Sequence, residues 1–338
     1  MEPLFVDRVS ELGWLRGWVS RFRYVPLYVY GPEGCGKTRL LKEFVRRFRE
    51  YFGGDAVAVY IDALEMGSIE KAVLTPPGLS LMIDAIRDVI NGVLGVGPSL
   101  ARAIADVLER AVGRQRLRGN YVLVVVDDVV RAVGMDRVEW YVKWLFELMN
   151  KLSSEYGPRA INFVVATSEG ESLGSVTRHR HGHAALLWNL DREPFMELLN
   201  ALNPPRGFDV EEAWRLLGGN PGKAMELANR YNWDLRAMLN DYVRRAVLLM
   251  DTIKARGLVN PLRMAINDVD TFYGDPGTTE LRELLIRENY IIYKDWATLS
   301  GSPINPNQEI GVGRFYAWQT PIHREALATT LRLLGITA

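Results

Sequence analysis

Gly31-Pro32-Glu33-Gly34-Cys35-Gly36-Lys37-Thr38 is a complete G-x-x-x-x-G-K-[ST] sequence, the pattern of a phosphate-binding loop. Its glycines let successive backbone N–H groups turn inward around phosphate oxygens with no Cβ in the way. Lys37 is placed to reach the β- and γ-phosphates as a point charge. Thr38 opens the following helix, where its hydroxyl can ligate Mg²⁺ and the helix N-terminus adds a positive dipole. The flanks suit the motif. Tyr24-Val25-Pro26-Leu27-Tyr28-Val29-Tyr30 is an apolar run, and Leu40, Leu41, Phe44, Val45 and Phe48 follow at helical spacing. Strand, glycine loop and helix are the context that this motif requires. The expected phosphate contacts are residues Gly31 through Thr38 and Arg39 behind them, with Lys37 also serving the chemistry.

A chain of 338 residues has room for two or three modules. With 48% hydrophobic and 24% charged residues it has the composition of a folded globular protein, which excludes a disordered chain. No apolar run reaches the roughly 20 residues that cross a bilayer. The start, Met1-Glu2-Pro3-Leu4-Phe5-Val6-Asp7, lacks the basic region of a signal peptide. The expectation is a cytoplasmic protein with no membrane partner. Cys35 is the single cysteine, so no internal disulfide can form, and its place in the loop suits a small space-filler. The 41 basic and 41 acidic residues cancel. Nucleic-acid binding usually rests on a basic surplus, so the balance does not favour DNA or RNA as the partner. Local clusters at Arg102, Arg110, Arg114, Arg116 and Arg118 and at Arg178-His179-Arg180-His181 do not change that sum.

Five apolar runs alternate with helical spacing through residue 190: Val25–Tyr30, Ala56–Ile61, Tyr121–Val126, Ile161–Ala166 and Ala184–Trp188. Short, nearly continuous apolar runs suit strands buried on both faces. With helical patterns between them, as at Leu79–Val93 and Ser99–Val112, they predict an α/β domain, a doubly wound parallel sheet over residues 1–190. Residues 191–240 read as a helical lid. Asp209-Val210-Glu211-Glu212 is a capping sequence, and Gly218-Gly219-Asn220-Pro221-Gly222 breaks the chain before a helix at Lys223–Tyr231. Residues 241–338 read as three helices (Tyr242–Arg256, Leu262–Val269, Thr278–Glu288) and two strands (Tyr290–Tyr293, Arg314–Trp318), the pattern of a winged helix.

Tyr121-Val122-Leu123-Val124-Val125-Val126-Asp127-Asp128 is the second chemical signal. Strand neighbours point to opposite faces, so only one carboxylate can address the metal directly. Asp127 is expected to hold Mg²⁺ through water or the Thr38 hydroxyl, and Asp128 to polarise the attacking water. Asn162-Phe163-Val164-Val165-Ala166-Thr167-Ser168 ends a neighbouring strand on polar residues. Thr167 is the expected partner of the γ-phosphate.

Phe5-Val6-Asp7-Arg8-Val9-Ser10-Glu11-Leu12, the phosphate loop, Asp127-Asp128, Thr167 and Ala213-Trp214-Arg215-Leu216-Leu217-Gly218-Gly219-Asn220-Pro221-Gly222-Lys223-Ala224-Met225-Glu226-Leu227-Ala228 together resemble the archaeal ATPase family. That family belongs to the STAND branch of P-loop NTPases, related to AAA+ proteins. The resemblance covers nearly the whole chain. It implies an ATPase acting on ATP and releasing ADP, with Mg²⁺ as cofactor and slow turnover. It implies that the backbone around Phe5, Val6 and Arg8 lines the adenine pocket and that Pro221 presses on the base. A basic residue usual after the fourth strand is missing from Thr167-Ser168-Glu169-Gly170, leaving Arg178 or Arg180 as substitutes. The function implied is a nucleotide-driven switch with an unidentified protein partner, and nucleotide-dependent self-assembly is compatible with it. The alternative is a DNA-binding ATPase like the archaeal origin initiators. It is less favoured because Glu280, Glu283 and Glu288 on the candidate recognition helix would meet phosphates unfavourably.

Overall fold

The computed structural model describes residues 5–63, 73–74, 117–128, 134, 137–167, 172–178 and 180–336. The helices expected at Leu79–Val93 and Ser99–Val112 lie outside these residues, as do Arg102, Arg110, Arg114, Arg116, Ser168 and His179. The N-terminal half runs α1 (Val9–Val19), β1 (Leu27–Tyr30), α2 (Lys37–Phe52), β2 (Val57–Asp62), β3 (Val73–Leu74), β4 (Tyr121–Asp127), α3 (Val138–Tyr156), β5 (Ala160–Ala166), α4 (Ser172–Thr177) and β6 (His183–Leu186). The strands form one sheet in the order β3-β2-β4-β5-β1-β6. All pairs are parallel except β2–β3. The five expected strands are therefore present, with β3 added at an edge. The fifth ends at Leu186 rather than Trp188.

Alternation along the strands sends side chains to opposite faces. On one face Tyr28, Tyr30, Val59, Val124, Val126 and Phe163 pack with Tyr141, Leu145 and Leu152 of α3. On the other, Leu27, Val29, Ala58, Tyr60 and Val125 meet Leu15 of α1 and Leu40, Phe44 and Phe48 of α2. Burying both faces explains why the strand sequences are apolar throughout, each such side chain contributing about 1.5–3 kcal/mol. Strands β4 and β5 lie between β1 and β2, so the chain crosses two strand positions on leaving β1 and later turns back to it through β4 and β5. Ligands of open α/β sheets bind at the carboxyl ends of strands beside such a reversal, and the phosphate loop leaves β1 at that point.

The C-terminal half contains α5 (Arg192–Ala201), α6 (Val210–Leu217), α7 (Pro221–Arg230), α8 (Leu235–Ala255), α9 (Val259–Asn267), α10 (Thr279–Arg287), β7 (Ile291–Tyr293), β8 (Tyr316–Trp318) and α11 (Pro321–Leu333). Phe195, Leu217, Leu227, Met238, Met250, Leu262, Leu284, Trp318 and Leu327 belong to one core. Capping fixes several helix starts. Asp209 accepts from the N–H groups of Glu211 and Glu212, as its sequence predicts. Asn220 accepts from the Lys223 N–H with Pro221 in the first turn, so α7 starts two residues before the expected Lys223. Asp234 accepts from the Ala237 N–H, so α8 starts at Leu235 rather than Tyr242 and runs unbroken past residue 240.

Strands β7 and β8 pair antiparallel. The chain between them folds back on the edge of the main sheet. The Leu186 N–H donates to the Ala297 carbonyl at 2.8 Å, Leu299 N–H to the Leu186 carbonyl at 2.9 Å, and Trp296 Nε1 to the Ala184 carbonyl at 2.9 Å. The exposed edge of β6 is thereby covered. No helix among the described residues is long and apolar enough to cross a membrane.

Candidate functional site

Gly36 caps α2 with φ of 101°, and a Cβ built there would meet nothing within 4 Å. A left-handed backbone beside open space is a cradle that any side chain would fill. Behind it, the first N–H groups of α2 have no intrahelical acceptor, which leaves Lys37 and Thr38 with backbone donors at this cradle. Lys37 is buried, and its Nζ donates to the carbonyls of Gly31 at 2.9 Å and Pro32 at 3.0 Å. The ammonium thus lies inside the loop. Cys35 is buried beneath it with Sγ 3.4 Å from the Leu187 carbonyl, in keeping with a packing role.

Thr38 Oγ1 donates to Asp127 Oδ2 at 2.7 Å, across 89 positions of sequence. Register brings this about. β4 lies beside β2 with Asp62 opposite Asp127, and α2 packs over both strands. Tyr60 Oη also donates to Asp127 Oδ2, at 2.6 Å, while the Asp128 N–H donates to Asp127 Oδ1 at 2.9 Å. Burial, and then the Asp127 charge beside it, push the Tyr60 hydroxyl well above its ordinary range, so it stays a donor. Tyr60 is a site residue that the sequence does not announce; its only signal is a phenol in a strand buried on both faces. Asp128 is half-buried with φ of 53°, turning the chain away from the strand direction directly after Asp127. Thr167 is buried just past β5, and its N–H donates to the Val29 carbonyl at 3.0 Å. It therefore stands beside the end of β1, where the phosphate loop begins.

Arg8 has φ of 73° and a buried side chain. It pairs with Glu11 at 2.6 Å and donates to the carbonyls of Cys35 at 2.9 Å and Trp188 at 2.8 Å. Its guanidinium therefore anchors the N-terminal segment to the back of the phosphate loop. Phe5 lies on α2, with the Arg39 guanidinium 5.6 Å from its ring centre, and Val6 packs against the C-terminal core. The loop is also touched from the C-terminal half. The Gly222 N–H donates to the Gly34 carbonyl at 2.9 Å, and a Cβ on Gly222 would stand 2.7 Å from Gly34 Cα. Only glycine permits that approach, and it sets Pro221, the preceding residue, at the loop. A cavity of about 550 Å³ opens between Glu33 and the helices, lined by Lys223, Tyr242, Arg245, Tyr290 and His323. Burial, with Lys223 adding, lowers His323 to about 3, so it is neutral near pH 7. A second cavity, of about 720 Å³, adjoins Arg8 and Trp188 but is lined by no residue of the phosphate loop.

Arg178 and Arg180 do not join the site. Both precede β6, and β6 runs parallel to β1 with His183 opposite Leu27, so they lie at the amino ends of the strands. The phosphate loop leaves the carboxyl ends. Arg178 instead pairs with Glu139 at 2.5 Å.

A family model described as an ATPase domain predominantly from Archaea matches residues 5–227. The chain belongs to this archaeal ATPase-domain family. An uncharacterised ATP-binding protein from Pyrococcus abyssi is 25% identical over 259 residues, covering 72% of this chain and 74% of that protein. Among solved structures, the ORC2 protein of Aeropyrum pernix, in ADPNP-ADP complexes, is 14% identical with a TM-score of 0.46, covering all of this chain and 98% of that one. Domain III of the Thermotoga maritima replication initiation protein DnaA is 19% identical with a TM-score of 0.32, covering 59% and 70%. For an archaeal ATPase domain the donor set is apt. The Gly36 cradle, the helix N–H groups and Lys37 suit a nucleotide's phosphates. One hydroxyl with one carboxylate, Thr38 with Asp127, suits Mg²⁺, which keeps waters and phosphate oxygens for its other ligands. No group of three or more metal-binding side chains occurs among the described residues.

Proposed function

We propose that this protein binds ATP with Mg²⁺ at the phosphate loop, hydrolyses it slowly, and works as a STAND-type switch. In this reading residues 191–240 are a lid and residues 241–338 a winged-helix unit, joined through the continuous helix α8. The observation that carries it is the Gly222 N–H on the Gly34 carbonyl at 2.9 Å, a direct contact between the phosphate loop and the first turn of α7. What the loop holds and where the helices sit are then physically linked.

This reading gives each residue a role. Loop N–H groups and Lys37 bind and orient the phosphates, and Phe5, Val6, Arg8 and Pro221 frame the base. Thr38 and Asp127 would hold Mg²⁺, which when bound neutralises phosphate charge. Tyr60 and the Asp128 N–H keep the Asp127 carboxylate fixed. Asp128 polarises the attacking water, and Thr167 hydrogen-bonds the γ-phosphate. The partner is a protein rather than nucleic acid. The β7–β8 connection is bonded to β6 instead of being presented outward, and exposed Glu280 and Glu283 on α10, with Glu288 directly after it, oppose a phosphate backbone. Phosphate release from ATP, measured at low salt with and without duplex and single-stranded DNA, tests this. Slow release that DNA leaves unchanged is expected. Tenfold stimulation by DNA would replace the switch with a DNA-acting ATPase.

A further inference from the structure

Three buried side-chain amides form a network at the middle of the phosphate loop, two of them bonded to the main chain of Glu33. Asn189 follows β6, Asn220 caps α7, and Gln319 stands between β8 and α11; they are 5%, 0% and 1% exposed. The Glu33 N–H donates to Gln319 Oε1 at 2.7 Å. Asn220 Nδ2 donates to the Glu33 carbonyl at 2.9 Å and to Asn189 Oδ1 at 2.8 Å. Asn189 Nδ2 donates to the Gln319 carbonyl at 3.2 Å, which closes the ring. Gln319 is seated further by its own N–H on the Tyr290 carbonyl at 2.9 Å and by Nε2 on Asn289 Oδ1 at 3.3 Å. Fully satisfied buried networks of this kind rigidify what they join.

Neither the phosphate motif nor the Gly34–Gly222 contact accounts for Gln319. It is 286 residues from Glu33 and belongs to the far end of the chain. We propose that Gln319 is a positioning residue of the phosphate loop, which makes the seat of β7, β8 and α11 depend on what the loop holds. A phosphate that shifts the Glu33 peptide must either carry Gln319 with it or strand the buried amide oxygen of Gln319, a loss of the kind buried polar groups resist. Because Gln319 is bonded at its backbone to Asn189 and Tyr290, the strain passes to the hairpin and to α11. Coupling of this sort is reciprocal, so the seating of the C-terminal unit feeds back on nucleotide affinity. The inference rests on the reading of the loop as an ATP site, and the experiment separates the two.

Gln319→Met keeps length and bulk but removes the acceptor for the Glu33 N–H, and unlike Asn220 it caps no helix. Hydrogen exchange over residues 289–293 and 316–333 is followed with and without a non-hydrolysable ATP analogue, binding being checked by calorimetry. Wild-type protein should change its exchange at least about fivefold on binding, the lower end of ordinary coupling. Gln319→Met should still bind the analogue and change less than about twofold. A wild-type-sized response in the variant overturns the proposal, as does a wild-type chain that binds the analogue with no change in these segments. If Gln319→Met does not fold, Gln319→Glu retains an acceptor and must keep the response; its loss there overturns the proposal too. A wild-type chain that binds no analogue refutes the ATP site itself.

Discussion

Tyr60→Phe removes one oxygen from a fully buried ring and leaves the packing against α2 intact. It also leaves the Lys42 ammonium 4.9 Å from the ring centre. The deleted hydroxyl donates at 2.6 Å to Asp127 Oδ2, which is then held by Thr38 Oγ1 alone. A hydrogen bond to a charged group contributes about 1.5–3 kcal/mol, and Asp127 has little solvent to replace it, being 3% exposed. The variant should therefore lose about 1.5–3 kcal/mol, a roughly 10- to 100-fold fall in the folded-to-unfolded ratio. Urea denaturation without nucleotide or Mg²⁺, followed by tryptophan fluorescence, gives the number. Since burial and Asp127 keep the hydroxyl protonated, the loss should be the same at pH 6 and pH 9. A loss below about 0.5 kcal/mol would show that Tyr60 does not hold Asp127.

Asp128→Asn should bind ATP with little change yet hydrolyse it about two to four decades more slowly, the usual effect of losing a proton-handling group; turnover at the wild-type rate would make Asp128 structural. Asn220→Ala removes a helix cap worth about 1 kcal/mol and strands one buried acceptor, Asn189 Oδ1, at about 1–3 kcal/mol. Its chemical denaturation should show a loss of about 2–4 kcal/mol, and less than 1 kcal/mol would contradict the amide ring. His323 falls from 6.5 to about 3 on folding, so its contribution is complete above pH 6.5 and is lost as the pH falls toward 3. The slope approaches about 1.4 kcal/mol per pH unit. Urea titrations between pH 7 and pH 5 should show wild type losing about 2 kcal/mol more than His323→Gln; parallel losses would mean that His323 is charged in the folded protein.

Local chemistry made much of this molecule legible. The phosphate loop, the five apolar strands and the Asp209 cap each depend on neighbours within a few residues, and each stands where the sequence puts it. Long-range register is what sequence withholds. Tyr60 reaches Asp127 because β2 and β4 are adjacent, and nothing within either strand states that adjacency. The same holds for Arg178 and Arg180, which only the family resemblance brings forward, as substitutes for a basic residue after the fourth strand. A parallel crossover returns the chain to the amino ends of the strands and carries them away from it. Helix α11 escapes the sequence reading for another reason. Ile322, Ala326, Leu327 and Leu331 make a narrow apolar stripe after the Gly/Pro/Asn-rich stretch, while its first turn needs Pro321, which reads as a breaker until its place at the start is known. Gln319 carries no motif at all. Its role exists only through the approach of β8 to the phosphate loop.

Every role proposed for this site depends on Lys37 and the loop around it binding a nucleoside triphosphate. Calorimetric titration of ATP with Mg²⁺ into wild-type protein and Lys37→Ala, with matched circular dichroism to show equal folding, tests it most directly. Lys37 is buried within the loop, so its loss should cost about 2–5 kcal/mol of binding, roughly 30-fold to several-thousand-fold in affinity. Wild-type protein is expected to bind one ATP per chain and the variant to bind weakly or not at all. Equal affinity in the two proteins would mean that Lys37 does not bind the nucleotide.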